Sequence, residues 1–192
     1  MVFPRTFPEK GHLCLLEAIA ALPESLRPLR LVLVGDGPAE QVLRERVEVL
    51  GLTRLVEFRG KLDEQATLQE IAVADVLVLP SFMEGLPVVL MEAMGIGVPV
   101  IASQVAGVPE LVADDRTGLL VPPGEVQALS KAIARILSDP ASRDRLATAG
   151  RKAVEEEFSI RVAVDALEPL LRGSGPSKNT GMKAFEGMQK IS

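Results

Sequence analysis

The 192-residue chain contains no tryptophan, no tyrosine, one cysteine and one histidine, and each shortage removes a class of function. Its 6 aromatic residues are all Phe, too few for the platform on which single-stranded nucleic acids stack. A formal net charge of -5 argues against a nucleic-acid partner, because binding a phosphate backbone relies on a concentrated basic face. Cys14 alone excludes an internal disulfide, and Cys14 with His12 cannot supply a Cys/His metal set, so no metal site is expected. No apolar run reaches the roughly 18 residues a membrane helix requires, so no membrane span is expected. The opening MVFPRTFPEKG lacks a basic region followed by a long apolar stretch, and the expected location is cytoplasmic.

What is present is a strong alternation of apolar strands and helical segments. GHLCLLEAIAA (Gly11 to Ala21) has helical spacing, and LRLVLV (Leu29 to Val34) reads as a buried strand that ends at Gly35-Asp36-Gly37-Pro38. A helix from Pro38 to about Leu50, a strand over Val56 to Phe58 and a helix over Asp63 to Val73, capped by Asp63, come next. Strands over Asp75 to Pro80, Pro99 to Ala102 and Leu119 to Val121 alternate with helices over Leu86 to Met94 and Pro109 to Val112. Three helices follow: Glu125 to Ser138, Pro140 to Phe158 and Ile160 to Arg172. This rhythm predicts an α/β fold with a doubly wound parallel, Rossmann-like sheet, whose ligands sit at the carboxyl ends of the strands. The length suits one domain, expected to bury about 70% of its extended surface. Residues 1–172 are read as that domain, and 173–192 as a flexible C-terminal tail rich in turn formers.

Most of the chemistry is concentrated in PSFMEGLPVVLME, residues 80–92, where Glu84 and Glu92 lie on either side of a strand-to-helix turn. Gly85 permits a tight backbone path, and Pro87 suits a first helical turn. With the helix running from Leu86, eight helical steps would carry Glu92 about 12 Å beyond Glu84, the span from a sugar ring to a nucleoside across a diphosphate. The N–H groups and positive dipole end at Gly85-Leu86-Pro87 offer a place for the phosphates between the two acids.

Three further places attract notice. Arg5 and Lys10 stand in a loop that opens the first helix, where a planar fork and a point charge suit an anion. Gly35 and Gly37 form a glycine-rich turn after a strand, but Glu40 replaces the third glycine of the dinucleotide fingerprint, and Pro38 would obstruct it. A redox cofactor is therefore not expected, and the turn either lines a cleft or only shapes its loop. Arg59 and Lys61 flank Gly60 after another strand; the loop's backbone could read a base edge while the charged side chains face water. Asp114-Asp115 has no further clustered ligands and is expected in a turn.

PSFMEGLPVVLME, followed by AMGIGVPVIAS, GVPELV and TGLLVPPG, resembles the donor-binding half of the family 4 retaining glycosyltransferases of GT-B fold, over roughly residues 5 to 172. The resemblance implies a nucleoside diphosphate sugar as donor and transfer of a hexosyl group with retention of configuration, independent of metal or cofactor. It assigns Glu84 to the transferred sugar and Glu92 to the ribose. Arg5 and Lys10 are assigned to the diphosphate as it leaves, although Pro4 stands where a glycine is usual. Gly35 and Gly37 would line the donor cleft, and the loop of Arg59 and Lys61 would pack around the base. It also implies that an N-terminal acceptor-binding domain completes the enzyme. A non-catalytic sugar-nucleotide-binding module and another GT-B enzyme, such as a nucleotide-sugar epimerase, are the alternatives.

Overall fold

The computed structural model describes residues 10–157. The chain divides into compact units Met1–Val154 and Glu155–Ser192, and of the second only residues 155–157 are described. Arg5, the helix expected over 160–172 and the tail expected from 173 lie outside the described residues.

Among the described residues five strands alternate with helices: α1 (His12–Ala20), β1 (Leu31–Val34), α2 (Glu40–Val49), β2 (Val56–Gly60), α3 (Glu64–Ala72), β3 (Leu77–Leu79), α4 (Val88–Ile96), β4 (Val100–Ser103), α5 (Val108–Leu111), β5 (Leu119–Val121), α6 (Val126–Ser138) and α7 (Pro140–Glu157). Every strand pairing is parallel. β1 pairs with β2 from Leu31↔Val56 to Val34↔Gly60, while β4 lies between β3 and β5, with Val78↔Ile101 and Ala102↔Leu120 in register. Among the described residues the hydrogen-bonded ladders are thus β1-β2 and β3-β4-β5, the parallel α/β arrangement that the sequence predicted. The parallel direction brings the carboxyl ends of the strands in each sheet to a common edge.

The apolar runs explain the burial. β1, β3 and β4 are buried at every position, as expected of parallel strands covered on both faces by helices. α6 contributes Leu129, Ile133 and Ile136, spaced so that they share one face, and packs against α1, which contributes Leu15, Leu16 and Ile19. Each fully buried Leu or Ile of this kind contributes about 1.5–3 kcal/mol relative to exposure.

The predicted ends shift where local chemistry decides them. Asp63 caps α3 as expected, its Oδ1 accepting from the Ala66 N–H at 2.8 Å. Two residues late against expectation, α4 begins at Val88: Pro87, with ψ 108, is extended and stands just before the helix. Leu86 and Pro87 therefore belong to the approach loop. Its other end runs past Met94 to Ile96 and stops where Gly97 adopts a left-handed φ of 88°, which a side chain would strain.

Candidate donor site

Lys10 and Glu84, 74 positions apart in the chain, meet at the carboxyl edge of β3. The Lys10 Nζ donates to Glu84 Oε1 at 2.6 Å, and the Ser81 hydroxyl donates to the same oxygen at 2.7 Å. Both side chains of the ion pair are largely covered, 26% and 12% exposed. A backbone contact brings them together. Gly11 takes a φ of 70°, and a Cβ there would collide with the Pro80 carbonyl oxygen, so the loop holding Lys10 lies directly on the loop that starts at Pro80. Only glycine allows both that φ and that approach.

A second close approach supports the Glu84 loop from the other side. A Cβ on Gly107, in the loop between β4 and α5, would stand 2.8 Å from the Gly85 carbonyl oxygen. In the same loop Ala106 holds a left-handed φ of 40°. Phe82 rests against Gly124, where a Cβ would come within 3.0 Å of its ring. Gly107 and Gly124 thus support the Phe82–Gly85 turn from two neighbouring loops, although neither was read from the sequence as part of the site.

Beside the Lys10–Glu84 pair lies a cavity of about 250 Å³, lined by Lys10, Leu79, Glu84, Leu86, Pro87, Val88 and Val89. The last two open α4. A lysine ammonium, a carboxylate and the start of a helix therefore face one space. Such a set can hold a phosphate by charge and helix-end N–H groups while the carboxylate accepts hydroxyl hydrogens.

Glu92 is the fifth residue of α4, so only about 6 Å of helical rise separates it from Val88, and the stretch from Glu84 to Val88 is loop. The helix expected from Leu86 thus begins two residues later, which lengthens the loop between the two acids. Burial, and then the Glu64 carboxylate, raise the pKa of Glu92 above the ordinary range. Glu64 is the first residue of α3, which packs on α4.

The remaining predicted residues lie in neighbouring loops and at the end of β2. Gly35, with φ 120°, follows β1, and its N–H donates to the Gly60 carbonyl at 2.6 Å, so the Gly35–Gly37 turn is tied to the end of β2, which takes in Arg59 and Gly60 where the sequence predicted a loop. The Arg59 guanidinium bonds Glu57 at 3.1 Å and Glu70 at 3.0 Å, in a surface network with Arg30. Its charge is thereby committed to structure. Lys61 is exposed. Asp114 and Asp115 are structural too: Asp114 accepts from the Leu120 N–H at 2.9 Å, and Asp115 accepts from Arg135 and Arg145 at 2.6 and 2.9 Å. Those two guanidinium groups hold the Asp115 pKa below the usual carboxylate range.

Ser81 is the contact that the sequence reading missed. A serine between a buried strand and a glutamate three positions on was the available signal, but its hydroxyl has many possible uses, and only the turn's path aims it at Glu84. His12 packs within the first helix at 3% exposure. Burial, then the nearby Lys10 charge, push its pKa down to about 4.

A parallel α/β unit with its charged cluster at the strands' carboxyl edge is a Rossmann-like ligand-binding arrangement. Residues 1–153 match the family model for glycosyl transferases group 1, and the chain belongs to that family. It is 33% identical over 167 residues to an alpha-D-kanosaminyltransferase of Streptomyces kanamyceticus, a match covering 87% of this chain and 43% of that protein. HepE of Anabaena, solved in complex with UDP, superposes with a TM-score of 0.81 at 29% identity, covering 90% of this chain and 48% of that one. The C-terminal domain of a group 1 glycosyl transferase, LpcC, from Francisella tularensis superposes with a TM-score of 0.77 at 25% identity, covering 83% and 85%. The chain thus spans under half of the kanosaminyltransferase and most of an isolated C-terminal domain.

Proposed function

We propose that this chain is the donor-binding half of a retaining glycosyltransferase that moves a hexosyl group from a nucleoside diphosphate sugar to an acceptor. The observation that carries the proposal is the meeting of Lys10 and Glu84 on one cavity at the start of α4, with the buried Ser81 hydroxyl bonded to Glu84. Lys10 and the helix start, with Arg5 beside them in sequence, would hold the diphosphate and stabilise its charge as it leaves. These fixed positive groups take the part a metal ion would otherwise play. Glu84 would accept sugar hydroxyl hydrogens and Glu92 those of the ribose, with Gly35, Gly37 and the Arg59–Lys61 segment lining the nucleoside end. HepE, which has been solved with UDP-glucose as well as with UDP, supports this class of ligand.

Domain 1–172, with 173–192 as its tail, would then work with an N-terminal acceptor-binding domain in the cytoplasm. Phe82, Met83, Leu86 and Val88, between 46% and 72% exposed, give the mouth of the site an apolar rim for that domain to face.

Titration of the chain with UDP, GDP, ADP and their hexose conjugates tests the reading. Saturable binding is expected to one nucleotide and more tightly to its conjugate. Glu92→Ala should weaken the nucleotide by about 1–3 kcal/mol, as for a lost charged hydrogen-bond partner. Glu84→Ala should act chiefly on the conjugate, and Lys10→Ala on diphosphates over the nucleoside. A folded chain that binds none of the six overturns the assignment. Once an acceptor half is supplied, binding without transfer would identify a non-catalytic module, and conversion of the donor alone an epimerase.

A further inference from the structure

Glu84 has two carboxylate oxygens, yet both of its hydrogen bonds fall on one of them. Lys10 Nζ at 2.6 Å and Ser81 Oγ at 2.7 Å share Oε1, and among the described residues Oε2 has no such partner. We infer that Ser81 is a positioning residue: together with Lys10 it locks Glu84 through Oε1, so that Oε2 is the oxygen presented to the sugar of the donor. The inference rests on the donor-site reading above and adds to it which oxygen of Glu84 meets the sugar, and what holds that oxygen in place.

The geometry is suited to the task. Ser81 is fully buried, and the residue before it, Pro80, is held by its contact with Gly11, so the hydroxyl has a fixed origin. A buried hydroxyl needs a partner, and a charged acceptor gives a shorter, stronger bond than a neutral one. Glu84, by contrast, sits in the approach loop before α4, with three side-chain torsions to restrict. Two donors on Oε1 restrict them before any ligand arrives, which is how a recognition site lowers the ordering cost of binding.

The two donors are not equivalent. Lys10 carries three N–H donors and uses one on Glu84, leaving others for a phosphate, so its loss would disturb both ends of a sugar nucleotide. Ser81 has a single proton, and Glu84 takes it. Removing that hydroxyl should therefore disturb the sugar end alone.

The test uses the full chain and calorimetric titration with UDP and UDP-glucose, GDP and GDP-mannose, and ADP and ADP-glucose. For the pair that the wild-type chain binds, Ser81→Ala is expected to leave the diphosphate affinity within about twofold and to reduce the extra affinity for the conjugate about fivefold, the effect of one lost hydrogen bond. In a Glu84→Ala background the same change should have no further effect on the conjugate, because the group it positions is gone. Should Ser81→Ala not fold, Ser81→Cys, whose thiol donates only weakly, is read in the same way. Equal losses for diphosphate and conjugate, no loss for either, or additive losses in the double variant overturn the inference while leaving the donor site standing. Failure of the wild-type chain to bind any of the six overturns the donor site itself, and this inference with it.

Discussion

His12 shows how a single buried group can tie stability to pH beside a binding site. It is enclosed by the fold and lies two positions after Lys10, so its charged form is disfavoured, and its pKa falls from 6.5 to about 4. The unfolded chain takes up a proton near pH 6.5 while the folded chain does so only near pH 4. Stability from this group is therefore fully present above pH 6.5 and is lost as pH falls from there towards 4. The shift corresponds to at most about 3 kcal/mol. Chemical denaturation of wild type and His12→Gln at pH 7.5, 5.5 and 4.5 checks it: the wild type should lose more stability than the variant on acidification, and parallel losses would contradict the assignment. Glu92 has the opposite sign. Its raised pKa means that folding disfavours the ionised carboxylate, so Glu92→Gln should stabilise the chain slightly at neutral pH, by less than about 1 kcal/mol for a half-exposed group, and not at pH 4. The residue expected to meet the ribose thus opposes folding at neutral pH.

At the scale of elements, the site depends on loops pressed together by missing side chains. Gly11 and Gly51 have nearly the same φ, 70° and 68°, but a Cβ on Gly11 meets the Pro80 carbonyl whereas nothing lies within 4 Å of one on Gly51. Gly51→Ala should then cost only the backbone strain, about 1–2 kcal/mol. Gly11→Ala should cost distinctly more, and should also weaken diphosphate binding by displacing Lys10 from Glu84. Melting curves of the two variants, with diphosphate titrations of whichever fold, provide the measurement; equal destabilisation would show that the contact of Gly11 with Pro80 yields easily. The start of α4 belongs to the same scale. PVVLME satisfies helical spacing from Leu86 onward, but periodicity cannot tell the last loop residue from the first helical one when an extended proline stands between them.

For the whole molecule, the consequence is that a donor site and an enzyme are different things. Transfer needs an acceptor hydroxyl held against the sugar and water kept away, and positioning of that kind supplies much of an enzyme's rate. The described face ends in an exposed apolar rim at Phe82, Met83, Leu86 and Val88, and the chain spans under half of the kanosaminyltransferase it resembles. Residues 1–192 alone should therefore bind donor but transfer sugar at no useful rate, and addition of an acceptor-binding half should restore transfer that Glu84→Ala then largely abolishes. Product analysis with labelled donor reads both arms, and robust transfer by the chain alone would place the acceptor site within it.

The order of strands and helices and the parallel α/β class were legible in the sequence, because they rest on local periods and on short-range turn chemistry. Buried parallel strands appear as continuous apolar runs such as LVLV and VIAS, and Asp63 marks its helix start by a bond only three residues long. Contacts across the chain were not legible. That Lys10 reaches Glu84, that Arg59 turns to Glu57 and Glu70, and that Gly107 supports Gly85 follow from how distant loops meet at the sheet edges. The family pattern linked Lys10 and Glu84 to different parts of one ligand, whereas the folded chain bonds them to each other. Only tertiary structure could decide that both donors fall on the same oxygen of Glu84, since this depends on a backbone approach at Gly11 and Pro80 that no local rule encodes.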